Sequence, residues 1–181
     1  MTTFTMITIH SAKQKNLSEQ EFQQLYSIIV KAYADTESEM WGKNYVRVSE
    51  LDFRKFIEAD EILVAFMNDN VVGGLRYYKS SEDTFGFGLF GADFSLSGKG
   101  IGRALIKRVE EEVKKSGYKK IKIEILRPKN FELPIKKILH KWYQRLGYNF
   151  TGTVDFAEEF PDRAIGILVP CVFDYYEKEL I

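Results

Sequence analysis

The sequence predicts an α/β fold, a mixed sheet with helices against it, and three observations lead there. Ile62–Met67 and Val71–Tyr78 are apolar, β-branched runs on either side of Asn68-Asp69-Asn70, which is the pattern of a hairpin. Leu96-Ser-Gly-Lys-Gly-Ile-Gly102 runs straight into a helical stripe of Ile101, Ala104, Leu105, Val109 and Val113. Ser116-Gly117 then stops that helix, and Lys119–Leu126 alternates as a strand. A strand, a glycine-rich turn, a helix and a second strand in succession imply a right-handed parallel crossover, so parallel and antiparallel pairs share one sheet.

The other elements follow in order. Phe4 to His10 alternates weakly and is rich in Thr and Ile, which reads as a first strand. Ser18-Glu-Gln-Glu21 is a capping box opening a helix with Phe22, Leu25, Ile29 and Ala32 or Tyr33 on its apolar face. Residues 34–47 read as irregular, and Ser49-Glu-Leu-Asp52 opens a short helix carrying Leu51, Phe53, Phe56 and Ile57. Thr84 to Phe94 is a strand with Phe85, Phe87 and Leu89 on one side. Gly86 and Gly88 leave its other side bare, with Phe90 further along. Lys119–Leu126 places Ile121, Ile123 and Ile125 on one face and Lys122 and Glu124 on the other. Parallel strands are normally covered on both faces, so Glu124 lies near an open edge or looks into a cleft. Pro134 begins the last long helix, with Ile135, Ile138, Leu139, Trp142 and Leu146 as its stripe. Tyr148–Phe156 and Ile167–Glu179 are the final strands.

Composition narrows the function. The chain has 181 residues, 45% of them hydrophobic, with no internal repeat or linker, so one domain over 1–181 is expected. Lys+Arg and Asp+Glu balance at 26 each, which argues against a non-specific nucleic-acid binder. No apolar run approaches a membrane span and the first residues lack a charged segment followed by an apolar core, so no membrane partner is expected. Cys171 is the single cysteine, which suits a reducing, cytoplasmic setting. His10 and His140 stand apart and no cysteine cluster exists, so no metal site is expected.

The chemistry centres on the glycine-rich turn. Glycine lets a ligand approach the backbone amides, and the first-turn amides of a helix are unpartnered and lie at the positive end of its dipole. Such a turn seats a phosphate or pyrophosphate. Gly100 follows Lys99 where the Walker pattern needs Ser or Thr, and Leu105 stands where a dinucleotide fingerprint needs its third glycine.

Gly98-Lys-Gly-Ile-Gly-Arg-Ala-Leu-Ile106 resembles the pyrophosphate loop of the GNAT superfamily of acyl-CoA N-acyltransferases, Q/R-x-x-G-x-G/A. Gly100 and Gly102 match, and Ser97 stands at the Q/R position. Tyr143-Gln-Arg-Leu-Gly-Tyr148 resembles the family's later Y-x-x-x-G-[FY] motif. The resemblance covers the chain from about Glu61 onward; the first 60 residues match in layout only.

The resemblance implies a largely antiparallel sheet with a parallel central pair formed by the fourth and fifth strands and a bulge at Gly91. It also implies acetyl-CoA as cosubstrate, bound along Phe90, Ala92 and Phe94 and at Ser97, Gly98, Lys99, Gly100, Ile101, Gly102 and Arg103, with Asn130 as a further candidate. The reaction it implies is transfer of the acetyl group to a primary amine of a small molecule by direct attack, in a monomer or homodimer. Tyr143 would protonate the departing thiolate. The family's usual glutamate is replaced here by Thr84-Phe-Gly-Phe-Gly88, so Glu124 is the first candidate base, ahead of Glu82 and Asp93. Glu37, Trp41, Tyr45 and Glu158 are candidates for holding a cationic acceptor through carboxylates and aromatic faces. An acetyl-CoA-binding sensor without catalysis and an acetyltransferase acting on protein lysines or N-termini are the alternatives.

Overall fold

Residues 6–181 are described by the computed structural model, so Phe4 and Thr5 of the expected first strand lie outside the described residues. The strands are β1 (Ile7–Ser11), β2 (Ile62–Met67), β3 (Asn70–Lys79), β4 (Thr84–Ala92), β5 (Lys120–Pro128), β6 (Asn149–Asp155) and β7 (Cys171–Glu179). They form one sheet in the order β1-β2-β3-β4-β5-β7-β6, antiparallel except for β4 and β5. The helices are α1 (Ala12–Lys15), α2 (Glu19–Trp41), α3 (Glu50–Glu58), α4 (Ile101–Lys115), α5 (Pro134–Arg145) and α6 (Phe156–Glu159). No helix among the described residues is long and apolar enough to cross a membrane.

Strand alternation divides the core between the two faces. Ile62, Val64 and Phe66 pack with Phe22, Leu25, Ile29 and Phe53 beneath α2 and α3. Leu63, Ala65 and Met67 pack on the other face with α4, and with Ile121, Ile123 and Ile125 of β5. The hairpin turns through Asn68 and Asp69, whose φ values of 51° and 62° give the left-handed pair that a tight primed turn needs.

Four local expectations change. Residues 34–41 are helical, because α2 runs on to Trp41 and ends only at Gly42, whose φ is 91°. The stripe of Leu25 and Ile29 continues through Glu37 and Met40, and the polar Glu37 on that stripe disguises its period. On α5, Ile138 is 60% exposed, while Lys136 and Tyr143 occupy the buried face. Leu51 of α3 is likewise exposed, and β7 starts at Cys171 rather than Ile167, because the Leu168 N–H donates to the Met40 carbonyl of α2 and Pro170 has no N–H for a ladder.

The fourth strand carries the feature that shapes the site. Its parallel pairing with β5 covers only Thr84, Phe85 and Gly86, and beyond that the two strands part. Against β3, Arg76 faces Gly88 and Gly74 faces Gly91, so the single residue Leu75 opposes both Leu89 and Phe90. That bulge lies before Gly91, with Leu89 at φ 44°. The extra residue inverts the alternation: Leu89 packs towards α2, and Phe90 towards α4 and α5. Gly91 has another task, since a Cβ there would stand 3.1 Å from the Ile29 Cα, so α2 lies directly on it.

Candidate functional site

Where β4 and β5 part, a cleft of about 790 Å³ opens beneath α2. The bulged strand from Phe87 to Ala92 forms one wall, and Ile123 to Leu126 of β5 another. Tyr33 and Glu37 of α2, residues 45–49, the first turns of α5 and Arg163 complete it.

At the bulge, the Phe90 N–H donates to the Tyr33 hydroxyl at 3.1 Å. Burial raises the Tyr33 phenol, so it remains protonated at neutral pH and its own O–H is left to donate. Arg47 lies over the Tyr33 ring at 5.3 Å and donates to the Tyr45 hydroxyl at 3.4 Å. Burial works against the Arg47 charge, but the Glu37 carboxylate and the phenols of Tyr33 and Tyr45 outweigh it, and the guanidinium is held above its ordinary value. Tyr143 lines the same wall, packed against Phe87, and its hydroxyl has no hydrogen-bond partner among the described residues. Burial, with a smaller contribution from Tyr33, pushes its phenol well above the usual tyrosine range.

Glu124 projects from β5 into the cleft and pairs with Lys122 at 3.5 Å. Of the other base candidates, Asp93 accepts from the N–H and hydroxyl of Ser95, and Glu82 is an exposed turn residue away from the cleft.

The glycine-rich turn adjoins the far end of β4. Ala92, Phe94 and Ser97 line the cleft, and the chain then turns through Gly98 and Gly100, at φ 82° and 85°. A Cβ at Gly98 or Gly100 would project into open space, and only a residue without a side chain adopts this backbone there freely. Gly100 is the N-cap of α4 and supplies no side-chain bond. The N–H groups of Ile101, Gly102 and Arg103 therefore point outward with no protein acceptor, beside the side chains of Lys99 and Arg103. Gly102 serves packing: a Cβ would meet Phe90 Cζ at 2.9 Å and Trp142 at 3.1 Å, and these two rings stack at 5.9 Å. Open amides, left-handed glycines and adjacent cations fit a pyrophosphate, and the parted strands fit the arm attached to it.

The expected acceptor residues are only partly brought together. Glu37 and Tyr45 line the cleft, but Glu37 is spent on Lys136, whose Nζ lies 2.8 Å away. Trp41 is not on the cleft wall; helix α2 carries it under the sheet end, stacked on Tyr45 at 4.6 Å and edge-on to Phe156. Glu158 is exposed in the first turn of α6, outside the cleft, and Asn130 is exposed beyond β5 and also away from it. Tyr33 and Arg47 were missed. Tyr33 reads as one more apolar stripe residue, and Arg47 sits in a segment without period. Among the described residues, no three His, Cys, Asp or Glu side chains gather to hold a metal ion.

Known structures share this architecture. An N-acetyltransferase from Staphylococcus aureus Mu50 superposes with a TM-score of 0.68 at 16% identity, over 97% of this chain and 99% of that one. The Salmonella typhimurium protein yncA, solved with its cofactor acetyl-CoA, gives 0.67 at 16% identity, over 97% and 94%. The polyamine N-acetyltransferase of Drosophila melanogaster gives 0.68 at 12% identity, over 97% and 100%. At such identities the likeness is one of fold. No curated protein sequence matches the chain. The sequence profile of the Acetyltransferase (GNAT) family matches residues 22–148, from the buried face of α2 to the end of the Y-x-x-x-G-Y motif. The chain belongs to the GNAT acetyltransferase family.

Proposed function

We propose that the protein is an N-acetyltransferase that moves an acetyl group from acetyl-CoA to the primary amine of a small molecule. The observation that carries this reading is the continuity of the parted strands with the open glycine turn, with Tyr143 on the wall between them. Bound acetyl-CoA supplies the thioester that the amine attacks.

The protein's own groups divide the work. The N–H groups of residues 101–103, with Lys99 and Arg103, hold the pyrophosphate. Tyr33, oriented by the Phe90 N–H, offers its O–H to the thioester oxygen as charge develops there. Glu124 accepts the proton that the amine must lose. Tyr143, kept protonated by burial, gives its proton to the sulfur as the carbon–sulfur bond breaks. Amine nitrogen gains the acetyl carbon, sulfur leaves with the bonding pair, and one proton goes to each side.

Thermal stabilisation by acetyl-CoA tests the binding step, and release of free CoA thiol with a panel of amines tests transfer. The protein's only cysteine, Cys171, is buried, and its thiol is pushed up to about 11, so it stays silent towards a thiol reagent at neutral pH. Stabilisation without thiol release from any amine would instead fit a sensor.

A further inference from the structure

The charges on the cleft wall are not balanced, and the imbalance bears on the acceptor. Five charged side chains of the lining have partners: Glu37 and Lys136 with each other at 2.8 Å, Arg76 with Glu61 at 2.6 Å, Asp52 with Lys55 at 3.1 Å and Glu124 with Lys122 at 3.5 Å. Among the described residues, Arg47 and Arg163 also line the cleft and form no ion pair. Glu37 does not neutralise Arg47, because its direct partner is Lys136; the three together keep one net positive charge.

The two arginines are also held as an anion receptor would be. Arg47 lies over the Tyr33 ring and spends a single N–H on Tyr45. Arg163 lies over Phe160 at 4.8 Å and Phe173 at 5.3 Å. Stacking fixes the guanidinium plane and leaves its N–H edge open to a planar oxyanion. Both line one cleft, together with Tyr78 and Arg76.

We infer that the acceptor carries a carboxylate besides its amine, that Arg47 receives this carboxylate beside the Tyr33 end of the cleft, and that Arg163 adds to the attraction from the rim. This reverses the charge expected from the acidic residues in the sequence, and it rests on the transferase reading above. An α-amino acid or a short amino carboxylic acid has this chemistry; a diamine or polyamine does not.

The test uses matched pairs: amino acids and the amines left when their carboxylate is removed, with thiol release read for each. The expected kcat/KM favours the carboxylate member by about ten- to a hundredfold, as a charge-assisted contact would. In Arg47→Met the ratio within each pair falls towards one, chiefly through KM, and Arg47→Lys restores part of it. The ratio is internal to each preparation, so a poorly folded fraction does not mimic the effect. Calorimetry with free CoA and the N-acetylated products gives a readout independent of turnover: N-acetylamino acids should bind more tightly than their decarboxylated counterparts, and lose that margin in Arg47→Met. Equal or better turnover of decarboxylated amines and polyamines would overturn this inference and leave the transferase reading standing. Absence of acetyl-CoA binding would overturn both.

Discussion

Lys136 Nζ lies 2.8 Å from Glu37 Oε1, with both side chains less than a tenth exposed, and this contact joins the start of α5 to the far half of α2 across the cleft. The other oxygen, Oε2, has no hydrogen-bond partner, so the lysine is the only group bonded to the buried carboxylate, with Arg47 acting on it from farther off. Removing one member strands the other in a poor solvent for ions, which costs more than the intact pair contributes. Lys136→Met is expected to lower stability by roughly 3–5 kcal/mol. Glu37→Leu/Lys136→Met, which removes both members and leaves only Arg47 without its neighbouring carboxylate, should recover part of the loss. Urea unfolding of the two variants checks the order.

The same pair explains where the sequence was hard to read. The hairpin, the capping box at Ser18, the turn at Gly98–Gly102 and the Pro134 start of α5 were all legible, because each depends on a local rule of backbone or spacing. Glu37 and Lys136 broke the apolar period of two helices at once, making the last third of α2 look irregular and putting Ile138 inside in place of Lys136. A long-range ion pair leaves no trace in either segment alone. The bulge at Leu89 hid for a related reason. Gly91 offered itself as the irregular residue, but register against β3 decides the position, and register is a property of two strands.

The Phe90 N–H bond to Tyr33 has two possible consequences, and Tyr33→Phe separates them. If the hydroxyl is the donor to the thioester oxygen, its loss should lower kcat by roughly a hundred- to a thousandfold, as for other oxyanion donors, with little change in KM for acetyl-CoA. A variant as fast as the parent would show that the hydroxyl merely occupies an N–H that the substrate takes over. Steady-state kinetics with saturating amine reads the difference.

Tyr143→Phe should slow turnover by about ten- to a thousandfold, the loss expected of a general acid. The pH profile adds a sharper check. An ordinary tyrosine would lose its proton near pH 10 and the rate would fall there. Burial raises the Tyr143 phenol, so its contribution should persist through that point, with no descending limb due to this residue up to pH 10. The sign for stability is the same. The folded state favours the protonated phenol, so this stabilisation is full below the unfolded value near 10 and is lost as pH rises beyond it. In Tyr143→Phe that part of the alkaline destabilisation should disappear, which circular dichroism against pH can follow.

Gly102→Ala places a methyl group where Phe90 and Trp142 already stack, 2.9 Å from one ring and 3.1 Å from the other. Overpacking of this kind costs about 1–3 kcal/mol. Because Phe90 also belongs to the bulge, the push should be felt as a higher KM for acetyl-CoA besides a lower melting temperature. Gly100→Ala acts differently: its Cβ meets nothing, but its φ of 85° is strained for alanine. There the loss should fall mainly on cofactor affinity, measured by calorimetry.

Glu124 can serve as base only while ionised, and Lys122 lies 3.5 Å away. The rate should therefore rise with pH and then level off. Glu124→Gln should remove this ascending limb and depress the plateau most, leaving the two enzymes closest in rate at low pH. The profile of this variant distinguishes a base from a residue that only shapes the wall, because a structural role would lower the rate equally at every pH. An ascending limb that survives in Glu124→Gln at its original position would assign proton removal to water or to the amine itself.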